Sequence, residues 1–438
     1  MTSDTSQAKR VLILSTTAFT LMFAVWLQFG ILSIPIQKEF QLSETQFYWL
    51  TAVPILNGSI WRLATGIWAD KFGGRKVMLT ILLLSAPPTF YLSQVHNTTA
   101  LFICAFLIGI AGNAFSAGIS WNSAWSSHEH IGFALGVFGA GNVGASVTKF
   151  IGPVLITSTA GAAYLGGLIT GGWRVIPVVY GILILLMVAA IVLFTPTPDR
   201  KPAGTRSFRQ ELTPLKEIRV WRFSLYYVVV FGAYVALSSV LPKYFEDRYE
   251  VKLWTAALLT ALFIFPASLL RPLGGALSDH FGARRIMYWT FTLMTLTSGL
   301  LMMPNGFITI DVLETKSASG QLEVMPWHLG LVPFTVVLVI LGCSMGIGKA
   351  AVYKHIPEYF PSNVGAVGGL VGMLGALGGF FMLPLFGMVK KFTGLPTSPF
   401  IVLFALTVWC FAWMHLTIHR MLHEQSPHLA TSFEKVSS

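Results

Sequence analysis

Carboxylates are scarce in this chain. Asp and Glu account for 18 of 438 residues against 29 Lys and Arg, and charged residues of both signs make up 11%, where a soluble domain averages about 25%. Hydrophobic residues reach 54%. A chain so poor in charge cannot hide its apolar surface in a water-surrounded core, so lipid is its natural solvent. Cysteine is nearly absent. Cys104, Cys343 and Cys410 all lie in apolar stretches, which argues against a disulfide framework and suits small packing residues. No glycine-rich phosphate loop is present, so hydrolysis of a nucleotide by this chain is not expected. No nucleophile–base grouping or metal-ligand cluster falls inside an apolar stretch, which argues against an enzyme and implies no cofactor or metal. His128, Glu129 and His130 match no metal-site spacing and read as a solvated loop. The net charge of +11 is dispersed over short loops, which is a topology signal and not a nucleic-acid footprint.

What is there is a series of apolar segments, each about the 20 residues that a helix needs to cross hydrocarbon. They run roughly over 10–36, 46–69, 76–95, 99–124, 131–158, 173–194, 221–241, 254–277, 284–303, 329–354, 363–389 and 397–422. The first is too long for a cleavable signal and reads as a span. The expected fold is an all-α membrane protein of twelve transmembrane helices in two six-helix bundles. Residues 1–194 form the first bundle, 195–220 a polar linker, and 221–438 the second bundle. A second polar insertion, 304–328, joins spans nine and ten. With both termini inside, Lys and Arg number about 17 on the cytoplasmic side and about 8 outside, so the positive-inside rule places linker and termini in the cytoplasm.

The chain repeats itself. WRLATGIWADKFGGRK, residues 61–76, returns as LRPLGGALSDHFGARR, residues 270–285. Arg62, Gly66, Asp70, Gly73 and Arg75 match Arg271, Gly275, Asp279, Gly282 and Arg284, the pattern of an internal duplication. Each arginine lies eight residues before the aspartate that ends its span, about 12 Å deeper and close to the midplane. An arginine there costs at least about 2.5–3.5 kcal/mol and needs a partner, yet every carboxylate lies at a span end, in a loop or in a tail. An anionic substrate is the simplest missing counter-ion. A guanidinium is a planar, permanently charged fork that suits a planar oxyanion. Bracing by backbone carbonyls is the bland alternative, and a dianion is the rival ligand.

Glycines form the second constellation: Gly136, Gly139, Gly141 and Gly144 around Asn142 in span five, and Gly365, Gly368, Gly372 and Gly375 in span eleven. Each interior glycine costs about 1 kcal/mol against alanine, so their three- and four-residue spacing implies a smooth face where helices approach and slide. Asn142 is a lone amide in that face.

The segments GIWADKFGGRK and GALSDHFGARR resemble the loop motif of the major facilitator superfamily in both halves. The arginine pair together with GAGNVG resembles the nitrate/nitrite porters, the NarK family. That resemblance implies two bundles rocking around a central anion site. Arg62, Arg271 and Asn142 would hold nitrate or nitrite, Tyr227 and Phe231 in span seven would line the site, and Phe115 in span four is a further ring. Asp70 with Arg75, and Asp279 with Arg284, would latch the cytoplasmic ends when the carrier faces outward.

Coupling is open to two designs. In an exchanger, the empty site holds two charges whose repulsion, about 2 kcal/mol at about 8 Å and an effective dielectric of 20, resists closure without an anion. In a proton symporter a titratable relay is needed, and Lys349, Lys149, Lys354 and Glu358 are the candidates. These lysines make the chain more like the proton-coupled importers. The expected function is therefore nitrate import across a bacterial inner membrane, by a monomer in contact only with lipid, nitrate or nitrite, and protons. A nitrate/nitrite antiporter, a small organic anion carrier and a nitrate-binding membrane sensor are the alternatives.

Overall fold

In a computed structural model, residues 3–126, 131–201, 208–315, 318–360 and 364–420 are described. The triplet His128–Glu129–His130 lies outside them. The first half contains α1 (Ser3–Trp26), α2 (Phe29–Phe40), α3 (Glu44–Ile60), α4 (Arg62–Phe72), α5 (Gly74–Leu92), α6 (Thr98–Ile108), α7 (Ala114–Trp125), α8 (Ile131–Ala140), α9 (Gly144–Ser158) and α10 (Val175–Phe194). A two-residue pairing of β1 (Ala163–Tyr164) with β2 (Ile169–Thr170) precedes α10. The linker carries the short α11 (Phe208–Leu212). The second half contains α12 (Ile218–Tyr227), α13 (Ala233–Tyr249), α14 (Leu253–Leu269), α15 (Arg271–Phe281), α16 (Ala283–Met302), α17 (Leu331–Tyr359), α18 (Val364–Thr393) and α19 (Ser398–Arg420).

Joined end to end where only a short break intervenes, these helices make twelve segments at the positions expected from the sequence. By length and apolarity alone, seven qualify as membrane spans, or eight with the bent pair α14–α15 taken as one. The segments that fall short include α3–α4, with Arg62, Asp70 and Lys71, and α5, with Arg75 and Lys76. The polar insertion between spans nine and ten is a departure from an all-helical chain. It forms an antiparallel hairpin of β3 (Gly306–Thr315) and β4 (Ala318–Trp327), with Gly306 opposite Trp327. The run Phe307–Val312 is rich in β-branched residues, which favours a strand.

The expected spans are also less regular than their hydropathy suggests. Span one breaks at Leu27–Gln28, span five tightens to a 3-10 turn at Gly141–Val143, and span seven widens to a π-turn at Val228–Gly232. Span eight bends by 42° between Leu269 and Arg271. Pro272, at the start of α15, has no N–H to continue the ladder and accounts for that bend. The repeated glycines Gly73 and Gly282 share a backbone that only glycine adopts freely, with φ of 98° and 85°. Each turns its chain sharply into the next span.

The loop motif, expected to latch the cytoplasmic ends when the carrier faces outward, has these partners in this structure. Asp70 accepts from the Ser120 hydroxyl. The Arg75 backbone N–H donates to Asp199 at 3.0 Å and its guanidinium to the Val192 carbonyl at 3.1 Å. Asp279 pairs with Lys354. These partners come from the same half of the chain or from the linker.

The halves are joined at the membrane face opposite the linker. Lys38 at the end of α2 pairs with Glu246 at the end of α13 at 2.8 Å, and Lys390 of α18 pairs with Glu44 at the start of α3. Val240, Tyr48 and Lys390 line a cleft of about 140 Å³ beside these pairs. Exposed ion pairs contribute about 0.2–1 kcal/mol each. Neutralising both through Glu44→Gln and Glu246→Gln is expected to raise opening of this face by roughly two- to thirty-fold, read as faster maleimide labelling of a Val240→Cys reporter. An unchanged labelling rate would show that the pairs do not hold the face shut.

Candidate functional site

Arg62 opens α4 and Arg271 opens α15, so the two fall at equivalent places in the repeat. Arg62 is only 2% exposed. Its Nε donates to the Gly58 carbonyl at 2.9 Å and its Nη1 reaches the Gly372 carbonyl, across in α18, at 3.4 Å. Ring faces supply the rest of its surroundings: its guanidinium carbon lies 5.2 Å from the Trp26 ring, 5.4 Å from Phe115 and 5.5 Å from Phe231. Arg271 lies 5.7 Å from the same Phe115 ring and 5.5 Å from Tyr353. Phe115 is therefore a neighbour of both arginines. Neither arginine has a carboxylate among the described residues.

Part of the polar inventory here lacks any protein partner. Arg62 Nη2, Arg271 Nη1, both side-chain atoms of Asn142 and the Tyr227 hydroxyl are all buried and unbonded. Gly139 faces the Arg271 guanidinium, to which an added Cβ would come within 3.2 Å, and Asn142 is one turn further along the same face of span five. Tyr227 stacks on Phe231 at 5.0 Å and meets Tyr353 edge-on at 5.0 Å. A buried polar group without a partner costs about 1–3 kcal/mol, and more if charged. Donors predominate among the unpaired atoms, a set that an acceptor-rich anion would complete. The predicted residues Arg62, Arg271, Asn142, Phe115, Tyr227 and Phe231 are thus brought together.

Two aromatic neighbours escape a reading of the sequence. Tyr353 lies four residues past Lys349, on the same helix face, and that spacing is the signal that finds it. Its hydroxyl donates to the Gly368 carbonyl at 3.1 Å. Trp26, fixed by a 2.9 Å bond from its Nε1 to the Pro54 carbonyl, has no such signal.

The coupling candidates separate. Lys349 is fully buried beside the site, where Nζ donates to the Ala267 carbonyl at 3.1 Å and sits 3.2 Å from the centre of the Tyr234 ring. Lys149 is also fully buried but is two turns beyond Asn142. Its Nζ approaches the Leu27 carbonyl at 3.5 Å, while neighbouring Thr148 donates to the Ala24 carbonyl. These two residues serve the carbonyls exposed by the break in span one. Lys354 is partly exposed and paired with Asp279, and Glu358 is exposed at the end of α17.

The glycines admit different neighbours, and Gly144 lets span five approach the backbone of span one closely, where a Cβ would fall 2.0 Å from the Thr20 carbonyl oxygen. Gly141 and Gly144 pack on Phe19 and Thr20 of span one, whereas Gly136 has open space where a Cβ would stand. In span eleven, Gly375 leaves room for the Tyr227 ring, where a Cβ would fall 2.2 Å from Cδ1, and Gly372 for the Tyr353 hydroxyl at 2.7 Å. Gly368 makes only ordinary contact with Tyr353, and the surroundings of Gly365 lie outside the described residues.

Residues 14–383 match the profile of the Major Facilitator Superfamily. The chain belongs to that superfamily. It is 59% identical, over 97% of its own length and 95% of the relative's, to a protein from Thermus thermophilus named as a probable nitrate/nitrite antiporter NarK1. It is 29% identical to the nitrite extrusion protein of Bacillus subtilis, over 92% of this chain and 95% of that one. Within the superfamily it therefore falls in the nitrate/nitrite porter family. The fold is that of a solved bacterial homologue of the human lysosomal transporter Spinster, with a TM-score of 0.71 at 16% identity, covering 95% of this chain and 98% of that chain. The protein is thus a multi-pass membrane transporter and not an enzyme.

Two predictions follow from this geometry. Arg62→Lys and Arg271→Lys keep the charge but lose the planar fork. Each is expected to weaken nitrate binding by about tenfold or more, since one charge-assisted hydrogen bond contributes about 1.5–3 kcal/mol; titration of intrinsic tryptophan fluorescence measures it. Gly375→Ala drives a Cβ into the Tyr227 ring and is expected to destabilise by about 1–3 kcal/mol, while Gly136→Ala, in open space, does not. Equal melting temperatures for the two variants would contradict this packing.

Proposed function

We propose that this protein is a secondary transporter of nitrate and nitrite, in which the anion binds between Arg62 and Arg271 and the two halves move as units around it. The observation that carries this reading is the convergence of buried, unpartnered donors from both arginines, Asn142 and Tyr227 in a ring-lined space without a carboxylate. A planar monovalent oxyanion accepts from these donors on its edge and lies between rings on its faces. The names of the similar proteins agree.

In this reading the linker face is cytoplasmic, as the Lys and Arg bias supports, and the protein works as a monomer in the inner membrane. The ion pairs on the opposite face then hold the outer side shut. Exchange of nitrate against nitrite is the coupling supported by the Thermus relative's name and by the two unneutralised charges. Proton-coupled import is the second reading, and Lys349 favours it: a titratable group in direct line with Arg271 through Ala267, one turn away. Proteoliposomes separate the two. Exchange predicts nitrate uptake that requires internal nitrite or nitrate and ignores an imposed proton gradient. Proton coupling predicts gradient-driven uptake that Lys349→Met abolishes while sparing anion exchange. If competing small carboxylates are carried as well as nitrate, the substrate assignment is wrong.

A further inference from the structure

Away from the arginine pair, a cavity of about 380 Å³ opens at the linker face of the second half, between the ends of spans seven, nine, ten and twelve. Arg219, Arg222, Arg284 and Arg420 all line it, and no described carboxylate does. In a chain with 29 Lys and Arg in all, four arginines on one small cavity are a concentration of charge that membrane transport through the central site does not use. Two of them are held in ways that leave donors available. Arg222 has its Nε buried without a partner. Arg219 is exposed, with its guanidinium carbon 5.5 Å from the Tyr359 ring, a stacking that fixes the plane of the fork without consuming its N–H groups.

The remaining wall is aromatic. Phe223 packs against His355 and Tyr359, each at 5.5 Å between ring centres. Just outside, Ile218 and Trp221 are exposed by 57% and 47%. A tryptophan at the end of a span marks the level of lipid headgroups. The cavity thus offers forked cationic donors at headgroup depth, with an apolar rim beside it. Arginine forks match tetrahedral phosphate oxygens as they match carboxylates, and basic pockets between spans at this face suit phospholipid headgroups.

We propose that this cavity is a phosphate-recognising site whose ligand is the headgroup of an anionic phospholipid in the leaflet on the linker side. The phosphate is held by Arg219 and Arg222 and the acyl chains run past Ile218 and Trp221. The site is separate from the transported anion and does not depend on what that anion is.

The test uses the full chain in vesicles of phosphatidylcholine alone or with added phosphatidylglycerol. Native mass spectrometry of the extracted protein counts retained lipid, and thermal unfolding reports stabilisation. The wild type is expected to retain phosphatidylglycerol in preference to phosphatidylcholine, and Arg219→Gln, on an exposed side chain, to reduce retention by about fivefold, the effect of one basic group near a membrane surface. Arg222→Gln is expected to act likewise, with Arg222→Lys restoring part of the retention, so a folding defect is distinguishable from loss of charge. Inorganic phosphate at millimolar concentration is the second arm. If it stabilises the wild type but not Arg219→Gln, and phosphatidylglycerol is not retained, phosphate recognition stands and the lipid assignment falls. Equal retention of phosphatidylglycerol by wild type and both glutamine variants, with no effect of phosphate, overturns the proposal.

Discussion

Two guanidiniums share an apolar bundle without a carboxylate to balance either. Much of the surrounding architecture follows from that constraint. A charge taken from water costs several kcal/mol even after the protein relaxes. Arg62 recovers part of this from two carbonyls and from the faces of Trp26, Phe115 and Phe231. A cation over a desolvated ring gains about 2 kcal/mol. A carboxylate would balance the charge more fully, but it would also occupy the forks permanently and compete with any anion. Carbonyls and rings hold the guanidiniums in place and leave Arg62 Nη2 and Arg271 Nη1 unbonded.

Rings as large as Tyr227 and Tyr353 need space inside a helical bundle, and glycine provides it. Gly375 admits Tyr227, Gly372 admits the Tyr353 hydroxyl, and Gly139 admits the Arg271 guanidinium. The helix-propensity cost of these glycines, about 1 kcal/mol each, is the structural counterpart of keeping aromatic faces against charge. The bend at Pro272 belongs to the same arrangement, since it falls beside Arg271, the residue that must point inward.

Much of this was legible in the sequence because it depends on local pattern. The apolar segments, the repeat at Arg62 and Arg271, and the residue types near them are properties of short windows, and the six expected site residues do converge. What was hidden depends on contacts between distant segments. Lys149 and Lys349 look alike as buried lysines, yet one serves the broken backbone of span one and the other stands against Tyr234 beside the site. Asp70 and Arg75 look like a pair, and nothing local to them signals the Ser120 and Asp199 contacts that they make in this structure. The β3–β4 hairpin was read only as a polar insertion, because a ten-residue strand with mixed polarity has a weak signature beside a membrane span.

Asn142 lies where the two halves meet. The 3-10 turn at Gly141–Val143 frees its carbonyl from a regular helix ladder, and the Tyr234 hydroxyl, from the other half, approaches that carbonyl at 3.4 Å while bonding Ser268 at 2.9 Å. Its amide side chain is at the same time unbonded and buried. One residue thus presents its backbone to the opposite half and keeps its amide side chain buried without a partner. The other members of the site divide the same way: Arg62 and Phe115 belong to the first half, Arg271, Tyr227 and Phe231 to the second. A ligand shifts a conformational equilibrium only by its difference in affinity for the two states. An anion that needs contacts from both halves has that difference built in, because only the state with the halves together supplies all of them. Without the anion, the same approach would bring two like charges together beside the Phe115 ring. In the transport reading proposed above, attraction in one case and repulsion in the other would make the bound anion a condition for the halves to close.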